Sequence, residues 1–434
     1  MRVPSPKEVA GFGEEAGRQS LEGPIYTLGI RLYRLGVIAA SPFHKKARKM
    51  IEGRRDVWRR LAAQVNPNDR NIWVHAASLG EFEQGRPLME ELRRRYPKYK
   101  IILTFFSPSG FEVRKNWEGA DCVIYLPFDT PRNARRLVEA INPEKVFFVK
   151  YEIWRNLLHE LYRRQVPTYL ISASFTPQQR FFRRGGSWYA LWLKWFTQIF
   201  VQDEQSRRLL EGIGIDNAIV AGDTRLDRVT DIMKGTHTIP ALEVMRKKHD
   251  FLMVFGSSWE ADEKSYIPFL RDYKVPAVIA PHEFDDKRLK KLQEDLSPLK
   301  VMLYTDIEST PEKASEADVL ILNTFGILSS AYRYADAAYI GGGFGAGIHN
   351  ILEAAVYGVP VVFGPKHQRF PEAQGLIEAG GGFCVKDGEE TCNTLREFAY
   401  AAYREETGKK AAAYVKERLG ATNRILQHIY KLNS

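Results

Sequence analysis

The sequence lacks the features that mark several large classes of protein. It has only three cysteines, Cys122, Cys384 and Cys392, and none of them forms a CxxC pair. It therefore shows no disulfide framework and no zinc knuckle, which fits a reducing compartment. No uninterrupted apolar run reaches about 18 residues, so no transmembrane span is predicted. Residues 1–23 lack the apolar core of a secretory signal and are predicted to be a disordered leader.

Metal-binding signatures are also missing. The nine histidines are scattered along the chain, and neither HExxH nor a well-placed DxD pair occurs. No metal ligand is therefore predicted. The glycine-rich stretch after residue 340 is not followed by GK[ST], which excludes a Walker A loop, and it fits the GxGxxG dinucleotide pattern poorly.

What the sequence does have is basic charge in one half. The 434 residues include 63 Lys and Arg against 53 Asp and Glu, a formal net charge of +10. Residues 1–225 carry 37 basic and 24 acidic side chains, a net of +13, whereas residues 226–434 carry 26 and 29, a net of −3. This asymmetry predicts an anionic partner on one side only: nucleic acid, a membrane surface or a phosphorylated substrate.

Apolar strands alternate with helices from residue 71 onward, a rhythm that predicts parallel sheets covered on both faces. We predict an α/β fold with two facing, doubly wound, Rossmann-like domains over residues 50–230 and 245–410, with a linker around 233–244. Residues 411–434 are predicted to end a long helix that packs back across a neighbour. Because such sheets bind ligands outside the carboxyl ends of their strands, the site is expected in the interdomain cleft.

Residues 25–49 form an apolar segment next to a basic cluster. One stripe of a helical wheel carries Ile25, Leu28, Leu32, Leu35 and Ala39, and the residues that follow include Lys45, Lys46, Arg48 and Lys49. Such an amphipathic segment can lie in the interface of an anionic membrane. The alternative is an ordinary N-terminal helix that packs on its own domain.

Carboxylates follow two predicted strands of the first half. In HAASLGEFEQG, Glu81 lies in the first turn of a helix, where the helix dipole stabilises a carboxylate that can act as a base. Glu83 is the competing acid, and an ordinary helix-start acid is the alternative. In KYEIWRN, Glu152 and Trp154 are expected at the same sheet edge as Glu81, with burial of the tryptophan in the core as the alternative.

The second half places small and polar residues after strands. In YIGGGFGAGIHNILEAA a strand runs into a glycine-rich loop, and a helix is predicted to start near His349 and Asn350. Glu353 would then share a helix face with His349 and accept hydrogen bonds from ribose hydroxyls. A tight strand–helix turn is the alternative. Ser257 and Ser258 could cap a helix or bind phosphate, and the 326–329 turn could present amides to an anion.

Aromatic and basic residues interleave between residues 180 and 195. The basic members are Arg180, Arg183 and Arg184, and the aromatic ones are Phe181, Phe182, Trp188, Tyr189, Trp192 and Trp195. Three interpretations stay open: a single-stranded nucleic-acid surface, a lipid headgroup boundary, or a buried aromatic face with a basic rim.

Taken together, the motifs resemble one family, the Kdo transferases of lipopolysaccharide biosynthesis, which are GT-B glycosyltransferases. The matching stretches, in order, are HAASLGEFEQG, YEIWRN, AGDTRLD, GSSWEADE, NTFGILSSAYRYAD, GGGFGAGIHNILEAAVYGVPVVFGP and RFPEA. The family transfers 3-deoxy-D-manno-octulosonic acid (Kdo) from CMP-Kdo to a lipid A precursor, lipid IVA. The resemblance implies an inner-membrane enzyme on the cytoplasmic face, with an anionic membrane surface as partner, no nucleic acid, and neither metal nor other cofactor.

The resemblance also implies residue roles. Glu81 would be the general base for an inverting transfer, and the other implied contacts are substrate contacts. These are Ser257, Ser258, His282, Gly326, Ile327, Leu328, Ser329, Gly343, His349, Asn350, Glu353 and Glu152. The sequence departs from the family at Lys150, which replaces an acid, and at Arg155, which replaces a proline. A GT-B enzyme that uses a UDP-sugar and a non-catalytic basic α/β binding protein are the alternatives.

Overall fold

The computed structural model describes residues 15–182, 187–234 and 237–431. The chain divides into two compact units. Unit 1 runs to Asp227 and takes up the chain again from Gly420, and unit 2 spans Arg228–Leu419. Each unit is built on one parallel sheet of seven strands, which confirms the predicted α/β class with two doubly wound sheets.

Unit 1 has a sheet with the strand order β3-β2-β1-β4-β5-β6-β7. Its strands are β1 Asn71–Ala76, β2 Lys100–Phe105, β3 Cys122–Tyr125, β4 Pro143–Val149, β5 Thr168–Ala173, β6 Gln198–Val201 and β7 Ala218–Val220. Every residue of β1 is buried, because this central strand is covered on both faces. The near-continuous apolar runs read from the sequence therefore belong to the middle of a covered sheet.

Helices cover both faces of this sheet and precede it. They are α1 Glu15–Ala40, α2 Lys45–Arg55, α3 Val57–Gln64, α4 Leu79–Arg95, α5 Pro108–Arg114, α6 Pro131–Ile141, α7 Arg155–Arg163, α8 Ser187–Leu193, α9 Glu204–Glu211 and α10 Thr224–Lys234, with a 3₁₀ turn at Arg180–Phe182. Local sequence sets the ends of α6: the Thr130 hydroxyl accepts from the Asn133 amide, Pro131 occupies the first turn, and Asn142 ends the helix at φ +45°.

Helix α1 is attached to unit 1 through its polar inner face. The Tyr26 hydroxyl donates to Asp129 at 2.8 Å, and Thr27 exchanges hydrogen bonds with Asn156 at 3.2–3.3 Å. Asp129 is buried and also accepts from the backbone amides of Asn156 and Leu157. Burial raises the pKa of Asp129 to about 6. The outer face of the same helix stays exposed.

Unit 2 has a sheet with the strand order β10-β11-β9-β8-β12-β13-β14. Its strands are β8 Met253–Ser258, β9 Ala277–Pro281, β10 Val301–Leu303, β11 Val319–Ile321, β12 Ala337–Ile340, β13 Val361–Phe363 and β14 Gly382–Cys384. Its helices are α11 Pro240–Lys248, α12 Glu260–Tyr273, α13 Asp286–Asp295, α14 Tyr304–Ile307, α15 Leu328–Ala331, α16 Leu352–Ala355, α17 Pro371–Glu378, α18 Gly388–Glu397 and α19 Ala401–Arg418, with 3₁₀ turns at Pro311–Glu316 and Tyr332–Tyr334.

Helices of the structure extend into two of the predicted segments. The predicted linker around 233–244 contains the end of α10 and the start of α11, because Ala241, Leu242 and Met245 bury one helical face in unit 2. The predicted disordered leader is helical from Glu15 onward, and its first 14 residues lie outside the described residues.

The predicted long C-terminal helix is divided in the structure into α18, α19 and a further helix, α20 Ala421–Tyr430. Gly420, at φ +85°, breaks the helix between α19 and α20, a backbone conformation that glycine adopts without strain. Helix α20 packs its Ile425 and Leu426 into the core of unit 1, and Asp227 accepts hydrogen bonds from the amides of Gly420 and Thr422.

Candidate active site

The strand order of unit 1 reverses between β1 and β4. The chain leaves β1 toward β2 on one side and leaves β4 toward β5 on the other, so the loops after these adjacent strands diverge and open a crevice. Glu81 follows β1 and Glu152 follows β4. The topology thus brings the two predicted carboxylates to the same point of the sheet edge.

Glu81 lies in the first turn of α4 and accepts a short hydrogen bond from the Ala77 amide. Burial and then the negative charge of Glu152 together raise the pKa of Glu81 to about 7, against opposing contributions from the Ala77 amide and Lys150. A carboxyl group with a pKa near 7 takes up and releases a proton readily at neutral pH, as a general base must.

Glu152 is held by two side-chain donors. Trp154 Nε1 donates to Glu152 Oε2 at 2.8 Å, and His75 Nε2 lies 3.1 Å from the same oxygen. His75 is fully buried on β1, and its Nδ1 lies 2.8 Å from the Thr104 hydroxyl. His75 Nδ1 also lies 3.1 Å from the Thr104 carbonyl oxygen, and Trp154 Nε1 lies 3.1 Å from His75 Nε2, so His75 connects Glu152 and Trp154 to the neighbouring strand β2. His75 was not predicted from the sequence, although it stands in the same HAASLGE motif.

Glu83, the competing acid, is engaged elsewhere. It forms an ion pair with Arg114 at 2.9 Å and lies 3.9 Å from Arg86, so its carboxylate is neutralised on the surface of α4. Lys150, which replaces the acid of the family, directly follows β4 at φ +64° and lowers the pKa of Glu81 by its charge. Of the two acids of HAASLGEFEQG, Glu83 is held in ion pairs, whereas Glu81 has the raised pKa expected of a base.

In unit 2 the strand order reverses between β8 and β12. The glycine-rich loop follows β12 and packs against the end of β8 so tightly that side chains are excluded. A Cβ on Gly341 would lie 2.3 Å from the Ser257 carbonyl oxygen, and one on Gly343 would lie 2.5 Å from the Gly364 backbone. Gly342 adopts φ +92°. These backbone contacts explain why several positions of the loop are glycine, and the explanation does not require a ligand.

Most amides of this loop already have acceptors. The Gly342 amide donates to Asp262 Oδ2 at 2.8 Å, and those of Gly341, Gly345 and Gly347 donate to backbone carbonyls. The Gly343 carbonyl oxygen accepts a hydrogen bond from the Lys366 amide. The loop is thus a rigid turn, and Gly343 is the position in it that was singled out from the sequence as a substrate contact.

The helix predicted to start near His349 begins later, as the short α16. His349 and Glu353 therefore do not share a helix face as predicted. Asn350 bridges the gap: its Oδ1 accepts from the Leu352 amide at 3.2 Å and its Nδ2 donates to Glu353 at 3.0 Å. Burial raises the pKa of Glu353, and the Asn350 hydrogen bond and the charge of Arg228 oppose that rise.

Three rings stack at the carboxyl edge of unit 2. The Trp259 and His282 ring centroids are 4.5 Å apart, as are those of His282 and His349. Trp259 Nε1 also donates to His349 Nε2 at 3.2 Å. Burial and the neighbouring His282 lower the pKa of His349. Both histidines were predicted from the sequence, but Trp259 was not. Its position directly after Ser258 is the sequence signal that could have identified it.

The remaining predicted contacts divide into buried and accessible residues. Ser258 is buried, and its hydroxyl donates to Glu263 at 3.0 Å, so it neither caps α12 nor points into open space. Ser257, the last residue but one of β8, adopts φ +53° and is half-buried. Beyond β11 the chain turns at the exposed Gly326, with φ +88°. Ile327 precedes α15, Leu328 and Ser329 begin that helix, and all three are half-buried.

The aromatic–basic cluster is mostly a packed face where it is described. Phe181 and Phe182 pack against Phe175, each with ring centroids 5.9 Å from it, and Trp192 is buried. Residues 183–186 and the side chains of Trp188 and Tyr189 lie outside the described part of the chain.

Within residues 15–182, 187–234 and 237–431, no group of three or more His, Cys, Asp or Glu side chains forms a metal-ligand set. Over the same residues, no helix combines the length and the apolar character needed to cross a bilayer.

Comparison with known proteins identifies the family. Residues 52–228 match a family model described as 3-deoxy-D-manno-octulosonic-acid transferase (kdotransferase). The chain is 26% identical over 378 residues to the 3-deoxy-D-manno-octulosonic acid transferase of Haemophilus influenzae, covering 83% of this chain and 86% of that protein. It is 25% identical over 334 residues to the transferase of the same name from Aquifex aeolicus, covering 75% and 85%. Residues 52–228 thus carry a Kdo transferase domain, and the chain is similar to Kdo transferases, which are glycosyltransferases, over most of its length.

Solved structures similar to this chain share its fold. UDP-GlcNAc 2-epimerase from Neisseria meningitidis superposes with a TM-score of 0.56 at 15% identity, over 83% of this chain and 100% of the epimerase. MurG from Acinetobacter baumannii gives 0.56 at 13% identity, over 84% and 100%. The predicted GT-B fold is confirmed, and at these identities the likeness extends to the fold alone.

The glycine loop of the transferase gives a first prediction. Gly341→Ala should lower the free energy of unfolding of unit 2 by about 1–3 kcal/mol, since the new Cβ meets backbone that cannot move aside. Gly345→Ala is the matched control, because its Cβ would lie 3.5 Å from its nearest neighbour. Urea denaturation of both variants measures the difference, and equal stabilities would contradict the close-contact explanation.

The raised pKa of Glu81 gives a second prediction. Its pKa is about 7 in the folded enzyme against an ordinary 4.5, so folding favours the protonated form. The resulting contribution of Glu81 to the free energy of unfolding is fully present below its ordinary pKa of 4.5 and is lost as the pH rises through about 7. Glu81→Gln, which keeps the uncharged shape, should therefore be more stable than wild type above pH 7, by about 2 kcal/mol.

The stability gain of Glu81→Gln should shrink as the pH falls toward 4.5. Thermal unfolding across this range checks it, with Glu83→Gln as the control, which should show no such gain because it loses an ion pair. A gain that does not vary with pH would show that Glu81 has an ordinary pKa.

Proposed function

We propose that the enzyme transfers Kdo from CMP-Kdo to a sugar hydroxyl of a lipid A precursor, lipid IVA, with inversion at the anomeric carbon. The observation that carries this proposal is the Glu81 carboxyl at the switch point of unit 1, with its pKa near 7 beside Glu152. The names of the curated relatives, which are Kdo transferases, support the transferred sugar.

In the proposed reaction Glu81, as carboxylate, takes the proton of the acceptor hydroxyl. The hydroxyl oxygen then bonds to the anomeric carbon of Kdo as the bond to the CMP phosphate breaks, and CMP leaves with the electron pair. Glu152, fixed by His75 and Trp154, keeps the proton affinity of Glu81 high. The same Glu152 carboxylate is proposed to be a substrate contact, as the resemblance implied.

Unit 2 is proposed to hold the donor. Glu353, fixed by Asn350, offers a carboxylate to the ribose hydroxyls. His282, His349 and the half-buried Ser257 and Gly326–Ser329 turn offer donors and flat rings at the same sheet edge. Helices α15 and α16 have four residues each and contribute little dipole, so side chains and amides carry the interaction with phosphate. We propose that the transfer needs no metal or other cofactor.

We also propose that the enzyme works at the cytoplasmic face of the inner membrane. The predicted apolar stripe of α1 supports this, because Ile25, Leu28, Leu32 and Leu35 are each 57–62% exposed, and Phe43 is 92% exposed. Exposed large apolar side chains beside a basic cluster bind anionic membrane surfaces. The positive charge of the first half then meets lipid, and nucleic acid is not an expected partner.

A coupled assay tests the proposal directly. Purified enzyme, CMP-Kdo and lipid IVA should yield a product heavier by whole Kdo units, read by mass spectrometry. CMP should raise the melting temperature and UDP should not, and the reverse would favour a UDP-sugar enzyme. No product with correct ligand binding would contradict the proposed reaction.

Substitution of the base gives a third prediction. Glu81→Ala and Glu81→Gln should reduce transfer by about 10²–10⁴-fold, the usual contribution of a positioned base, while stabilisation by CMP persists. In the wild-type enzyme the rate should rise with pH through about 7, as Glu81 loses its proton. Glu83→Gln should keep its activity, and an active Glu81→Ala enzyme would overturn the assignment.

The exposed stripe of α1 gives a fourth prediction. Deletion of residues 1–43 should release the protein from membranes. It also removes the Tyr26 hydroxyl, which donates a hydrogen bond to the buried Asp129. A cleaner variant replaces Leu28, Leu32 and Leu35 together by Ser and leaves the inner face intact.

The triple Leu variant should no longer sediment with anionic vesicles, while its melting temperature stays within a few degrees of wild type. The control is Val113→Ser, Tyr273→Ser and Tyr400→Ser together, which removes equally exposed apolar side chains elsewhere. Unchanged sedimentation of the Leu variant would show that another surface binds the membrane.

A further inference from the structure

Two cavities in unit 1 lie beside α1, and both are lined by several arginine side chains. Their lining residues are distant from Glu81 in the sequence. The first has a volume of about 550 Å³, and its arginines are Arg31, Arg135, Arg155 and Arg163, with Glu160 as the only acid. The second has a volume of about 750 Å³, with Arg31, Arg34, Arg132 and Arg136 and no acid. Arg31 and Pro131 line both, so the cavities adjoin each other across α1 and the start of α6.

Most of these arginines are not neutralised. Among the described residues, Arg31, Arg34, Arg132 and Arg135 have no ion pair or hydrogen bond to a carboxylate, whereas most other arginines of unit 1 pair with Asp or Glu. These four arginines are exposed, so their positive potential is available to an anionic ligand.

Arg155 extends the cluster toward the catalytic loop. It directly follows Trp154, the residue that fixes Glu152, and its guanidinium lies over the Trp195 ring at 5.7 Å. Its Nε is buried without a hydrogen-bond partner. The Nε atom is thus a donor that the fold leaves unsatisfied, and the Arg155 side chain also lines the first cavity. Arg163, by contrast, is already paired with Glu160 at 2.8 Å.

Exposed apolar side chains line the same two cavities. Leu28 lines the first, and Leu35 and Ile38 line the second. All three are exposed on the outer face of α1. A ligand that fills such a cavity has to offer both an anion and a hydrocarbon surface, which free phosphate or a nucleic acid does not. The combination fits an amphiphile with a phosphorylated head.

We propose that the arginine cavities beside α1 bind a phosphomonoester on the headgroup of the acceptor glycolipid, while its acyl chains leave along the leucine stripe of α1. The fork of a guanidinium matches two phosphate oxygens, and the second negative charge of a monoester favours several arginines over one. The identification of the lipid as the acceptor rests on the proposed function; the phosphomonoester preference of the cavities does not.

Vesicle binding tests the preference. Full-length enzyme is mixed with phosphatidylcholine vesicles containing phosphatidic acid, a phosphomonoester, or phosphatidylglycerol, a phosphodiester, adjusted to the same surface potential. Wild type should bind the phosphatidic acid vesicles at least about tenfold more tightly, the effect of about one extra charge-assisted hydrogen bond. Inorganic phosphate should compete only weakly, because it lacks the hydrocarbon part, and strong competition would mean that free phosphate is the ligand.

The variant Arg31→Gln with Arg135→Gln should lose the preference for phosphatidic acid while still binding through the leucine stripe. Arg208→Gln with Arg59→Gln is the control, since it removes the same charge from exposed sites of unit 1. Equal binding of the two lipids by wild type, or a preference that survives in the Arg31 and Arg135 variant, would overturn the inference. A melting curve for each variant shows that unit 1 is folded.

The Kdo transfer assay separates this inference from the proposed function. If lipid IVA receives Kdo but the phosphomonoester preference is absent, the inference alone fails. If the preference is present but no Kdo is transferred, the proposed function fails and the lipid site stands. In an active enzyme, the Arg31 and Arg135 variant should raise KM for the lipid about tenfold with little change in kcat, as expected for lost binding away from the reacting atoms.

Discussion

The reversal of strand order beside the first strand of each sheet is the constraint on which the rest of the enzyme depends. At such a point neighbouring loops turn away from each other, and the backbone leaves a crevice that no side chain has to create. In unit 1 the loops after β1 and β4 carry Glu81 and Glu152 to it. In unit 2 the loops after β8 and β12 carry Trp259 and the glycine turn.

Two carboxylates placed together in a partly buried crevice would repel each other and lose hydration. The structure divides the two roles by unequal solvation. Glu152 has the Trp154 and His75 ring nitrogens as neighbours, whereas Glu81 has the Ala77 amide and is left with a high proton affinity. The buried His75 connects the second carboxylate to the floor of the sheet, so the pair is fixed by core packing.

The sequence predicted the fold class and the meeting of Glu81 with Glu152, because strand periodicity and the carboxyl-edge rule depend on local pattern. It could not show that the Ser258 hydroxyl donates a hydrogen bond to Glu263, or that Asp262 accepts one from the Gly342 amide, since both contacts depend on tertiary packing. The breaks in the C-terminal helix and the late start of α16 were missed for a similar reason: helix ends are weakly encoded. The phosphate and sugar contacts stay predictions.

The return of the last helix to unit 1 has a consequence for how the protein is made. Unit 2 is inserted between two parts of unit 1, and α20 supplies Ile425 and Leu426 to the core of unit 1, with Tyr430 stacked on Tyr96 at 4.4 Å. During synthesis, unit 2 can therefore finish folding while unit 1 still lacks part of its core. The half of the enzyme that emerges first from the ribosome is the half that is completed last.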